Sequence, residues 1–172
     1  MLAEEQPDVI LVQGTSIVKD ITLPRNSLCI NMHAGLSPYY RGGACTLWAL
    51  MNWDPYNIGV TLHKLTESSD AGPIIAQKRV IPDESDSYSS IDYKLTKEGT
   101  TLALAVLAKL LNGEEIKSYE QDISKGSCYY SIHCRHAKSE LISYMQKIEG
   151  EKVIRRMLSV PSRKKLPIIE IT

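Results

Sequence analysis

Apolar residues along this chain follow two patterns, short unbroken runs and a repeat at three- and four-residue spacing. Asp8-Val9-Ile10-Leu11-Val12 is an unbroken, β-branched run that predicts a strand buried on both faces, as in a parallel sheet. Leu28-Cys29-Ile30 predicts a second, short central strand. Gly59–Leu65 and Ile74–Val80 predict two more, joined as a hairpin-like pair across Thr66–Pro73, a polar loop rich in Ser, Asp and Gly. After Gly42-Gly43 the spacing predicts a helix over Ala44–Asn52, with Leu47, Trp48, Leu50 and Met51 apolar. A long helix is predicted over Ser89–Leu111, its apolar face carried by Leu102, Val106, Leu107, Leu110 and Leu111 and its end marked by Asn112-Gly113. Leu2–Gln6 reads as the tail of a helix cut short by Pro7, Ser139–Met157 as helix-compatible, and Pro161 onward as a tail. Trp48 and Trp53 are expected to anchor the core.

At 172 residues the chain has the length of one domain with a sizeable core. Its 20 basic and 20 acidic residues balance, so nothing in the total charge points to a nucleic acid or a membrane surface. No apolar stretch reaches the length of a membrane span. The acidic start Met-Leu-Ala-Glu-Glu-Gln-Pro is unlike a signal peptide, so the expected location is cytoplasmic, with Cys29, Cys45, Cys128 and Cys134 as reduced thiols. Cys128, His133, Cys134 and His136 lack zinc-ligand spacing, and no metal site is expected. Arg155-Arg156 and Arg163-Lys164-Lys165 read as a solvated basic end, since no aromatic platform accompanies them.

The chemistry gathers in three places. Asn31 and His33 are two residues apart at the exit of the Leu28–Ile30 strand, and on a strand such residues share a face. Asp70 lies in the Ser69-Asp70-Ala71-Gly72 turn. An amide, an imidazole and a carboxylate can together polarise a carbonyl and assist attack on it. Each alone has an ordinary reading: a turn cap, a core histidine, a turn aspartate. His63, on a strand, is read as a packing residue near the site. Gly14-Thr15-Ser16-Ile17-Val18 follows the first strand as a turn open to close backbone approach.

Gly14, Asn31-x-His33, Pro38-x-Tyr40-Arg41-Gly42, Gly59-Val60-Thr61-Leu62-His63 and Asp70-x-Gly72-x-Ile74 occur in an order and spacing that resembles the folate-dependent formyltransferases. The resemblance covers roughly the first 110 to 120 residues. It implies an α/β, Rossmann-like fold with a mostly parallel central sheet and an antiparallel strand extension. It implies an enzyme that uses 10-formyltetrahydrofolate as donor and a primary amine as acceptor. Asn31 would bond the formyl oxygen, and His33, as an imidazolium, would stabilise the charge developing there. Asp70 would hold His33 charged and help remove the amine proton. Gly14, Thr15, Ser16, Ile17 and Val18 would form one wall of the folate pocket. Glu67, Ser68, Ser69 and Gly72 would form another, while Pro38 and the Tyr40-Arg41-Gly42 turn support the loop after His33.

Two departures from the family pattern stand out. Gly35-Leu36-Ser37-Pro38 replaces the common Ser-Leu-Leu-Pro, which alters loop packing and removes no catalytic side chain. Only seven residues precede Asp8, whereas the family's earlier strand-helix-strand units need on the order of 60 residues. The chain is therefore expected to be the C-terminal half of the formyltransferase domain. Its exposed sheet edge is read as an association hazard or a homodimer surface. Residues 1–122 are assigned to a shortened catalytic domain and 123–172 to a C-terminal extension. The preferred acceptor is an amino-sugar nucleotide. The Gly-Val-Thr-Leu-His run and the helix after Pro82 are closer to the sugar and tRNA branches than to the purine branch. The region after Ile123 is short for the β-barrel of the tRNA enzymes. The alternatives are methionyl-tRNA formylation and, from another class, a catalytically inactive folate-binding fragment or partner subunit.

Overall fold

The computed structural model describes residues 5–15, 24, 26–130, 153–160 and 164–171. In chain order its elements are β1 (Val9–Gln13), β2 (Leu28–His33), β3 (Tyr40–Gly42), α1 (Cys45–Met51), β4 (Gly59–Lys64), β5 (Ile74–Arg79), α2 (Tyr88–Leu111), β6 (Ser127–Tyr129) and α3 (Val153–Leu158). The main sheet runs β1-β2-β4-β5. β1 and β2 pair in parallel, and β2-β4 and β4-β5 form the antiparallel extension. This is an α/β, Rossmann-like architecture in which a single ladder carries the parallel part of the described sheet.

β4 is the best-covered strand, with Val60 and Leu62 in the core beside Ile30 of β2. β1 differs from the expectation of a strand buried on both faces. It is an edge strand among the described residues, and Leu11 is 45% exposed. Its apolar run fits a buried strand, but among the described residues only β2 lies beside it.

α2 begins one residue earlier than its pattern predicted, because Ser87 caps it. Ser90 N donates to Ser87 Oγ and Ser87 N to Ser90 Oγ, satisfying two free N–H groups. Ile91, Leu95, Gly99, Leu102, Ala103 and Val106 form its buried face. Leu111, expected on that face, is 88% exposed at the last turn, and Gly113 takes a positive φ just beyond.

Three further expectations change. Trp53 is not a core anchor: it sits half-exposed at positive φ after α1, whereas Trp48 stacks on Tyr129. The segment 164–171 is not a solvated tail. Leu166 N donates to Asn57 Oδ1 (2.9 Å), Ile169 exchanges bonds with Gln77 of β5, and the Arg79 guanidinium donates to the Leu166 carbonyl. Just before it, Ile154 and Met157 of α3 enter the core. β3 and β6, three residues each, have no signature of their own length; they form a separate parallel pair that brings the 120s back to the loop after β2. Leu2–Glu4, Ser16–Val18, His133, Cys134, His136 and the first part of the Ser139–Met157 stretch lie outside the described residues. Among the described residues no helix is long and apolar enough to cross a membrane.

Gly72 returns the β4-β5 loop to the sheet. A Cβ there would lie 1.9 Å from the Lys64 carbonyl oxygen, which is backbone and cannot rotate away. Gly72→Ala is expected to lower stability by about 2 kcal/mol through backbone displacement, read as a drop in the urea midpoint at unchanged m.

Candidate active site

The register of the sheet builds the site. Asn31 of β2 pairs with His63 of β4, and His33 with Thr61, while Thr61 pairs with Gln77 of β5. Side chains directly opposite each other share a face. Asn31, His33, Thr61, His63 and Gln77 thus form one polar face, opposite the apolar Ile30, Met32 and Leu62. Thr61 Oγ1 donates to the Gly35 carbonyl (2.6 Å) and accepts from Ser37 N (3.0 Å). Gln77 Nε2 donates to the Ser37 carbonyl (2.7 Å). These bonds hold the loop that follows His33.

Asp70 reaches this face from the β4-β5 loop. Asn31 Nδ2 donates to Asp70 Oδ1 (2.9 Å), and the backbone N–H of Gly42, in β3, donates to Oδ2 (2.8 Å). Ser69 Oγ lies 3.3 Å from Oδ2. His33 Nδ1 lies 3.4 Å from Oδ2, and His63 Nε2 3.3 Å from Oδ1. The three residues expected to be catalytic therefore converge on one another. His63 joins them, contrary to its reading as a packing residue. Its Nδ1 sits 2.8 Å from the Lys64 carbonyl, an acceptor, which fixes a proton on Nδ1 and leaves Nε2 facing Asn31 (3.1 Å) and Asp70.

Burial opposes ionisation of Asp70. Its contact with the His63 ring, the nearness of His33 and the Gly42 N–H outweigh burial and bring its carboxyl down to about 2. His33 goes the other way from the expectation that Asp70 keeps it charged. Burial lowers its pKa, and neither the Asp70 carboxylate nor the Tyr40 carbonyl offsets that, so the ring is neutral at pH 7. Yet both ring nitrogens face acceptors, Nδ1 toward Asp70 and Nε2 toward the Tyr40 carbonyl at 3.0 Å. The geometry suits an imidazolium while the burial resists it. A proton arriving with developing negative charge nearby meets a ready site.

A cleft of about 790 Å³ opens over these groups. Gly14 and Thr15 line it from the end of β1, and Glu67, Ser68 and Ser69 from the Asp70 loop. Gly72 does not; it packs against Lys64 instead. Ser16, Ile17 and Val18 fall outside the described residues. Tyr129 and Tyr130, at the end of β6, and Tyr88 and Asp92 of α2 also line the cleft, and none of these was singled out from sequence. Tyr129 is stacked between Trp48 (4.6 Å) and Tyr40 (6.2 Å).

Comparison with known proteins gives a consistent result. The family description "Formyl transferase" matches residues 1–107. Methionyl-tRNA formyltransferase of Thermodesulfovibrio yellowstonii is 34% identical over 106 residues, which make up 61% of this chain and 34% of that protein. The chain thus spans about a third of that relative's length, and 40% of others of the same description. A formyltransferase from Anoxybacillus kamchatkensis, solved with UDP-4,6-dideoxy-4-formamido-L-AltNAc and tetrahydrofolate, shares the fold. Its TM-score is 0.67 at 22% identity, over 87% of this chain and 78% of that one. Phosphoribosylglycinamide formyltransferase from Bacillus halodurans is similar at a TM-score of 0.54 and 31% identity, over 64% of this chain and 57% of that one.

Proposed function

Because the chain belongs to the formyl transferase family, we propose that it transfers a formyl group from 10-formyltetrahydrofolate to a primary amine, with Asn31, His33 and Asp70 as the catalytic residues. The observation that carries this reading is the convergence of all three within hydrogen-bonding reach under an open cleft. The folate lies in that cleft, held by Gly14, Thr15 and the loop Glu67–Ser69, with Ser16, Ile17 and Val18 continuing the first wall. Residues 1–122 form the catalytic domain and residues 123–172 an extension, of which the described residues 127–129 and 166–169 bond back to it.

The chemistry needs no covalent enzyme intermediate, since a neutral amine is already a nucleophile. Its nitrogen bonds to the formyl carbon, and the carbonyl oxygen becomes an oxyanion. In the free site the Asn31 amide donates to Asp70 and lies 3.1 Å from the His63 ring. The formyl oxygen takes the amide proton that Asp70 does not hold. Donors fixed in place before the charge develops supply a large share of catalysis in such reactions. His33, beside Asp70, shares the single proton that the amine releases, which places positive charge near the oxyanion. Asp70, ionised across the neutral range, accepts the proton that the amine loses. Collapse of the intermediate breaks the bond to N10 of the folate, and that nitrogen takes up the proton.

For the acceptor we favour an amino-sugar nucleotide. The support is the extent of the fold likeness: it reaches 87% of this chain for the sugar-nucleotide complex and 64% for the purine enzyme. Methionyl-tRNA is the second reading, favoured by the 34% identity to a tRNA enzyme.

Titration with 5-formyltetrahydrofolate, followed by tryptophan fluorescence and calorimetry, tests the donor pocket. Trp48 stacks on the cleft residue Tyr129, so its emission is expected to change with one-site saturation. Formyl transfer is then assayed with UDP- and dTDP-linked amino sugars against methionyl-tRNA. A folded chain that neither binds the folate nor transfers formyl sinks the reading. Binding without transfer to any amine favours the inactive folate binder.

A further inference from the structure

Residues 119–129, beyond the span matched by the family description, bond to both segments that meet at Asp70. Tyr119 exchanges two backbone bonds with Ile74 at the start of β5 (2.7 and 2.8 Å). Gln121 Nε2 donates to the carbonyls of Asp70 (3.0 Å) and Gly72 (2.5 Å). Further on, Ser127 N donates to the Tyr39 carbonyl, β6 pairs with β3, and Gly43 N donates to the Tyr129 carbonyl. The same stretch therefore fixes the Asp70 backbone and the strand whose Gly42 N–H binds the Asp70 carboxylate.

Asp70 needs such support. Its φ is 48°, in the left-handed region that only a few residue types tolerate. Two side chains hold its carbonyl, Gln121 Nε2 and Ser37 Oγ (3.2 Å). These two carbonyls fix the orientation of the Gln121 amide, since flipping it would set its oxygen against both. Among the described residues its buried Oε1 has no hydrogen-bond partner, so there the amide is held by its donors.

We propose that Gln121 is a positioning residue: by pinning the Asp70 and Gly72 carbonyls it sets the Asp70 carboxylate against His33 and Asn31. The geometric part of this stands apart from the assigned reaction; only its effect on turnover rests on the reading above. His33 is faced by Asp70, His63, Arg41 and Cys45, all of which stay unchanged in the test.

The test is Gln121→Met, which keeps length and volume and removes both donors. His33 is titrated by NMR in the wild type and the variant. Asp70 raises the pKa of His33, so a carboxylate released from it is expected to lower the His33 midpoint by about half a unit or more. In the same variant kcat falls about tenfold or more, with the KM for donor nearly unchanged, because misplacement acts on the reacting geometry. An unchanged His33 midpoint in a folded variant overturns the proposal, whether or not the wild type transfers formyl. Should the variant not fold, solvent exchange of the Gln121 side-chain amide in the wild type decides. Slowed exchange of both protons is expected, and exchange at the rate of a free amide overturns the proposal.

Discussion

Asp70→Asn is expected to lower formyl transfer about 1,000-fold while the protein stays folded and still binds 5-formyltetrahydrofolate. The asparagine keeps the shape and one acceptor oxygen, so the Gly42 N–H retains a partner. What it loses is the charge. A neutral amide cannot accept the proton that the attacking amine gives up. It also presents an NH2 group toward Asn31 and His63, where the wild type has a carboxylate oxygen. His33→Ala is expected to cost about 100-fold or more through loss of the group that takes up charge beside the oxyanion. It leaves the Tyr40 carbonyl without its ring partner at little cost to the fold. Single-turnover transfer with saturating folate, calorimetric folate affinity and thermal melts separate these effects. Near-wild-type transfer by either variant would remove that residue from the catalytic set.

Much of this arrangement could be read from sequence because it depends on short-range rules. The i, i+2 spacing of Asn31 and His33 put both on one face, and the β4-β5 pair with its polar loop brought Asp70 within range. His63 was undervalued for a different reason. Its place opposite Asn31 depends on the register of β2 against β4, which no single strand pattern encodes. The three-residue strands β3 and β6 carry too few positions to show a period, so the return of the 120s to the site was invisible, and Gln121 with it. Leu11 shows a limit of another kind. An apolar run reports what a strand can bury, and its cover depends on what lies beside it. The charge state of His33 failed on magnitude. The neighbouring carboxylate acts in the expected direction, but burial at 7% exposure outweighs it.

That balance gives a second large effect, on stability in acid. Asp70 has a folded pKa of about 2 against about 3.9 in an unfolded chain. The folded state favours its ionised form, so its contribution is complete above about pH 5 and is lost as pH falls through 4 toward 2. With the side chain 12% exposed, screening is slight, and the contribution is about 2 kcal/mol. His33 is also lowered, so the folded state favours its neutral form. Its contribution is present above about pH 6.5 and begins to be lost as pH falls below that. Urea unfolding of the wild type should therefore weaken in two acid steps, the first from His33 and the second from Asp70 together with the lowered Asp86. Asp70→Asn separates them. It flattens the second step, and it steepens the first, because His33 loses the one carboxylate that raised its pKa. His33→Gln removes the first step and leaves most of the second. An Asp70→Asn profile parallel to the wild type between about pH 5 and 2.5 would mean that Asp70 is not held as an anion. Proton acceptance by Asp70 would then lose its basis.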